Sequence, residues 1–184
     1  MTLAEFKSYF NALPYDKFYQ DVELIGLKGH GKSEATWNLM KDMYDWKSKR
    51  VIDLGCFHGY FCFKAEKEGA IVTGVDRAPN ILYTTGLIRD LYKSNLVTGT
   101  WNAGDIVPAL YDIALLMCMS YNLSNAEETL MNIKTKHVLF DVAEYEIPLI
   151  QKYYTIMKHK KSPKITPHGS WHVILGERND YISK

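Results

Sequence analysis

Cysteine is scarce in this chain, and what there is forms no pattern. The three residues, Cys56, Cys62 and Cys118, are an odd number without a C-x-x-C pair or metal-ligand spacing, which removes a disulfide framework and a thiolate metal centre from consideration. They are expected to be reduced, packed thiols of a cytoplasmic protein. An excess of one charge is also lacking: 22 Lys plus Arg face 21 Asp plus Glu, a formal charge of +1. No strong general field for nucleic acid or membrane surface follows from that balance. No run of about eighteen apolar residues occurs, and MTLAEFKSYFNALPYDKFYQ has no basic segment followed by an apolar one, so neither a membrane span nor a secretion signal is expected. The six prolines are scattered singly. With no repeat or biased tract either, residues 1–184 are expected to form a single domain, with 1–46 leading into a core over 50–177.

What is present is apolar material for a sizeable core, 47% of 184 residues. It is arranged in a repeating rhythm. From residue 50 onward VIDLG, FCFKAEKEG and AIVTGVD read as strand, helix and strand, followed by a helix to about residue 92. Further strands are predicted at 96–101, 112–117, 137–142 and 171–176, and helices at 124–133 and 146–159. Upstream, 22–25 reads as a short strand, and Ser33 as the N-cap of a helix to about residue 46. Such alternation predicts an α/β fold with a mostly parallel seven-stranded sheet, helices on both faces, and ligands at the carboxyl ends of the strands.

One stretch competes for attention. Gly26-Leu27-Lys28-Gly29-His30-Gly31-Lys32-Ser33 fits the phosphate-cradling spacing G-x-x-x-x-G-K-[ST] at every fixed position. A nucleotide kinase or NTPase would use it with Asp141 as the metal-side carboxylate. Against that, DVELI carries a glutamate at its centre, whereas buried parallel strands are nearly continuous apolar runs.

The strand ends tell a different story. They are Asp53-Leu54-Gly55-Cys56-Phe57-His58-Gly59, then Asp76-Arg77, then Gly104-Asp105-Ile106, and then Met117 to Asn122. In this order they resemble the class I S-adenosylmethionine-dependent methyltransferases, whose first motif reads roughly D-x-G-x-G-x-G and whose second strand ends in an acidic residue. The resemblance covers about residues 20–145. It implies a Rossmann-like sandwich with S-adenosyl-L-methionine as cofactor. Asp53 and the loop Gly55, Cys56, Phe57 and Gly59 would surround the methionine part, Asp76 with Arg77 the ribose, and Asp105 with Ile106 the adenine. Met117 and Cys118 would lie beneath. Phe57 departs from the pattern by replacing the middle glycine, which argues against a dinucleotide dehydrogenase because that glycine admits a pyrophosphate.

On this reading the glycine-rich stretch is a turn before the first core strand, and Lys28, His30 or Lys32 would face the acceptor or the cofactor carboxylate. Tyr121 and Asn122, just past the fourth strand, are the candidate catalytic pair. The chain has no D-P-P-Y-like tetrapeptide, the signature of amino methylation in DNA, and no Pro-Cys nucleophile for pyrimidine C5 chemistry. His168 and His172 have no evident third ligand, so no metal site is expected. Lys158, Lys160, Lys161 and Lys164 form a basic tail that either touches phosphate or is merely solvated. The acceptor is left as a small molecule, a nucleotide or tRNA, and a cofactor-binding partner subunit without activity stays as a third reading.

Overall fold

The computed structural model describes residues 1–14, 19–118, 125–166 and 169–181. Its frame is a seven-stranded sheet in the order β3-β2-β1-β4-β5-β7-β6. The strands are β1 (Arg50–Leu54), β2 (Ile71–Asp76), β3 (Val97–Thr100), β4 (Ile113–Met117), β5 (His137–Ala143), β6 (Tyr154–Thr166) and β7 (Gly169–Arg178). β1 to β5 pair in parallel. β7 runs antiparallel between β5 and β6, so the mostly parallel sheet expected from the sequence is mixed at one side.

Side chains alternate across the sheet with the two-residue period of a strand. Val51, Ile113, Leu115 and Leu139 face one core together with α1 (Leu3–Asn11), α2 (Ser33–Met40), α3 (Tyr60–Lys67) and α4 (Pro79–Tyr92). Ile52, Ala114, Leu116 and Val138 face a second core with α5 (Ala126–Asn132) and α6 (Ile147–Gln151). Both faces are thus dry, which is why the central strands read as continuous apolar runs. The strand order reverses between β1 and β4. A crevice therefore opens at their carboxyl ends, the usual place for a ligand in such sheets.

Three local expectations fail. Residues 22–25 are not a strand: Glu23–Ile25 is a 3-10 turn flanked by an isolated bridge between Val22 and Leu27. Ser33 is the first residue of α2, with Lys32 at the cap position in a left-handed conformation (φ 54°) and no capping side chain. That helix ends at Met40 and gives way to a 3-10 turn, Lys41–Met43. The third failure is the predicted helix 146–159, which is really α6 followed by strand β6. β7 is buried along most of its length and needs a partner on its outer side. That tertiary demand overrides the local pattern. Among the described residues, no helix is long and apolar enough to cross a membrane.

Candidate functional site

The loop after β1 folds back over the end of β2. Gly55 and Cys56 donate their N–H groups to the Val75 carbonyl at 2.8 and 2.9 Å. Gly55 adopts φ +73°, and a Cβ there would meet no atom within 4 Å. Its outer side is open space at the mouth of the crevice. Phe57 also adopts a left-handed conformation (φ 50°), costly for a residue with a Cβ. Two contacts pin it. Its N–H donates to Asp76 Oδ2 at 3.2 Å, and its carbonyl accepts from the Thr85 hydroxyl at 2.6 Å. The β2 carboxylate and α4 thus hold the left-handed backbone at the position where the resemblance expects a glycine.

Asp76 ends β2 with its side chain buried: Oδ2 reaches the loop after β1 at Phe57 N–H, and Oδ1 accepts from Ala78 N–H just past the strand at 3.0 Å. Arg77 beside it is exposed. Asp53 lies deeper, 1% exposed on the floor below the loop, and accepts from Cys62 Sγ at 3.2 Å. Burial pushes its carboxyl up to about 7, against the donation from Cys62 and with help from the Asp76 charge.

After β3 the loop is tied down by Asn132 Nδ2 on the Gly104 carbonyl and Asn125 Nδ2 on that of Ala103. Asp105 is exposed and accepts from Asn102 N–H at 2.8 Å. Ile106 is 69% exposed, an apolar surface beside a carboxylate. Such a pair suits a flat heterocycle with an amino edge.

At the end of β4, Met117 and Cys118 are buried. Cys118 has φ 60° and sits in a polar nest that sequence reasoning did not find. Lys164, from β6, places Nζ 3.3 Å from Asp141 Oδ2, 3.4 Å from Cys118 Sγ, and 4.0 Å from the centroid of the Trp171 ring. Burial raises the Asp141 carboxyl, opposed by Lys164. Lys164 itself is held cationic: burial would lower it, but Asp141 and Cys118 outweigh that and raise it. The Cys118 thiol is pushed up to about 11 by burial and the Asp141 charge, so it is a neutral packing and hydrogen-bonding group and not a nucleophile.

Residues 19–21 cross over this region. Tyr19 donates its hydroxyl to Cys118 Sγ at 2.7 Å and meets the Phe57 ring edge-on at 5.6 Å. Gln20 Oε1 accepts from Tyr60 N–H at the start of α3, and Asp21 Oδ1 accepts from Gly29 N–H at 2.7 Å. The glycine-rich stretch packs on this strap. A Cβ on Gly29 would lie 2.5 Å from the Tyr19 carbonyl oxygen, and one on Gly31 2.6 Å from it. Because a 3-10 turn precedes it where a phosphate loop needs a buried strand, the nucleotide-hydrolysis geometry is absent and the spacing match misleads.

Of the basic residues expected near the site, Lys28 is bound to Glu34 and lies near Asp21, His30 rests against Tyr19, and Lys32 is exposed at the α2 cap. In the tail, Lys158 donates to the Met43 carbonyl in the 3-10 turn after α2 and Lys160 to the Leu39 carbonyl in the last turn of α2, each at 2.8 Å. The basic run is thus divided: Lys158 and Lys161 are exposed, Lys160 is half-buried, and Lys164 turns inward. Tyr121, Asn122 and His168 lie outside the described residues. His172 pairs with His159 at 2.6 Å.

No family model matches the chain. Over 86 residues, 46% of its length, it is 26% identical to the tRNA U34 carboxymethyltransferase of Sulfurimonas denitrificans, and the match spans 29% of that enzyme. The N-methyltransferase NodS of Bradyrhizobium japonicum, solved with S-adenosyl-L-homocysteine, superposes over 97% of this chain and 98% of its own with a TM-score of 0.69 at 13% identity. The chain has the class I methyltransferase fold. A Pyrococcus horikoshii protein superposes with a TM-score of 0.71 at 14% identity over 94% of this chain and 99% of its own. A methyltransferase of Mesorhizobium loti gives 0.64 at 12% over 78% of this chain and 98% of its own. At these identities the likeness is one of fold. In that fold the crevice between β1 and β4 is where the strand-end residues described above converge.

Proposed function

We propose that the protein is an S-adenosylmethionine-dependent methyltransferase. The observation that carries the reading is the Asp76 carboxylate, buried at the end of β2 and hydrogen-bonded to the left-handed loop after β1. It stands at the end of the strand next to β1, beside the topological switch point of a methyltransferase-fold sheet, with an open side at Gly55 and an exposed Ile106 in the loop after β3. A carboxylate acceptor for ribose hydroxyls and an apolar surface suit a nucleoside. The Gly55, Cys56 and Phe57 N–H groups already donate to Val75 and Asp76, so the loop does not offer the run of free N–H groups that a pyrophosphate demands. Asp53, Cys56, Gly59, Arg77, Asp105 and Met117 complete the assigned cofactor site.

The cofactor supplies a methyl group already activated by a positive sulfur. The chain's own residues then have to orient the acceptor for in-line displacement and exclude water. We assign the acceptor side to the ends of β4 and β5, where Lys164, Asp141 and Cys118 gather, with Tyr121 and Asn122 as the residues positioning the acceptor atom. The acceptor is a small molecule, a nucleotide or a tRNA, and the partial match to a tRNA-modifying enzyme puts tRNA first in a screen. Three buried free thiols support a reducing, cytoplasmic setting. The test is transfer of radiolabelled methyl from S-adenosylmethionine to a panel of tRNAs, nucleotides and small amines and acids. Tight S-adenosylhomocysteine binding without turnover on any of them would favour a partner subunit.

A further inference from the structure

We propose that Tyr19 is a positioning residue: a latch that ties the cofactor loop to the end of β4 and governs passage of the cofactor. The proposal rests on the S-adenosylmethionine reading above. β1 and β4 are neighbours at the switch point, and each is followed by a non-glycine residue in the left-handed region, Phe57 (φ 50°) after β1 and Cys118 (φ 60°) after β4. Such conformations are sterically costly and persist where their surroundings hold them. Tyr19 touches both. Its ring packs edge-on against Phe57 at an interplanar angle of 88°, and its hydroxyl donates to Cys118 Sγ at 2.7 Å.

The strap that carries Tyr19 is seated with care. Its carbonyl accepts from Gly31 N–H at 2.8 Å, and Gly29 and Gly31 come so close to the Tyr19–Gln20 backbone that neither can carry a Cβ. The seating of this tyrosine thus explains Gly29 and Gly31, whereas Gly26, the first glycine of the phosphate-loop spacing, is the left-handed cap (φ 69°) of the preceding 3-10 turn. A thiol is a weak acceptor, so the hydroxyl-to-sulfur contact is the part of the latch able to release. The ring contact with Phe57 shapes the closed position over the loop.

The experiment follows S-adenosylhomocysteine binding by stopped flow in the wild type, Tyr19→Ala, Tyr19→Phe, Cys118→Ala and the Tyr19→Phe/Cys118→Ala double variant. A latch on the entry path sets both rates. Tyr19→Ala is expected to raise association and dissociation about tenfold each with a smaller change in Kd, and Tyr19→Phe about threefold each. Tyr19→Phe should then do nothing further in the Cys118→Ala background. A residue that merely packs would raise dissociation alone. That outcome, or rates within twofold of wild type for Tyr19→Phe, overturns the latch, and Tyr19→Phe keeps both ring contacts should Tyr19→Ala not fold. Wild-type protein that fails to bind S-adenosylhomocysteine overturns the cofactor reading and the latch with it.

Discussion

The two sides of the β1–β4 crevice are built on different principles. On the β2 side the proposed cofactor groups lie at the strand ends or within about six residues of them, and backbone hydrogen bonds from Gly55, Cys56 and Phe57 fix the loop. On the β5 side the polar groups come from far apart in the chain: Tyr19, Cys118, Asp141 and Lys164 meet through strand register and one buried ion pair. On the proposed reading, the cofactor is met by local turn chemistry, whereas the acceptor side is assembled by tertiary contacts. The first kind of site is legible in a sequence, and the second is not.

Removing the cation from the acceptor side should have the largest effect. Lys164→Met leaves Asp141 buried and unpaired, which is expected to cost about 3–5 kcal/mol in denaturant unfolding, with most of it recovered in Lys164→Met/Asp141→Asn. If the two sides are independent, S-adenosylhomocysteine affinity in the double variant stays within about threefold of wild type. A matching loss of affinity would break the comparison, because the acceptor side would then be holding the cofactor loop.

Asp76→Ala comes next. Loss of charge-assisted bonds to a ribose should weaken S-adenosylhomocysteine by about 1.5–3 kcal/mol, ten- to a hundredfold by isothermal titration. A folded variant with unchanged affinity would remove Asp76 from the site.

An effect that appears only as pH changes is expected below the loop. The Asp53 carboxyl is held at about 7 in the folded protein against an ordinary value of 3.8. Between those pH values the folded state keeps a proton that the unfolded state has lost, so stability falls as pH rises toward neutrality. Asp53→Asn is neutral throughout. Its stability relative to wild type should rise by about 2–3 kcal/mol between pH 5 and pH 8. A difference that does not change with pH would mean that Asp53 is ionised and paired in the fold.

The limits of the sequence follow the same division. β1 and β2, with the glycines and carboxylates at their ends, are apparent because turns and strand ends are short-range features. β6 was hidden: Ile147, Ile150, Tyr154 and Met157 recur at helical spacing, and bulges at residues 156–158 and 161–165 interrupt the alternation that would reveal a strand. With β6 misread, Lys164 looked like one more solvated lysine, although its side chain is 12% exposed and bonded to a buried aspartate. Tyr19 carried no signal, since nothing local in a tyrosine shows that its hydroxyl will reach a residue 99 positions away. The glycine-rich stretch shows the converse error. Its spacing was real, but its two glycines answer to different local demands: Gly26 to a left-handed cap after the 3-10 turn and Gly31 to backbone crowding against Tyr19.

The most direct test of the central reading is thermal denaturation with each candidate ligand. A ligand that binds only the folded state at a hundredfold excess over Kd adds about 2.7 kcal/mol, or about 5–10 °C for a chain of this size. S-adenosylmethionine or S-adenosylhomocysteine should give that shift in both wild type and Lys32→Ala, while ATP or GTP with magnesium should give almost none. A large magnesium-nucleotide shift that disappears in Lys32→Ala would contradict the methyltransferase assignment.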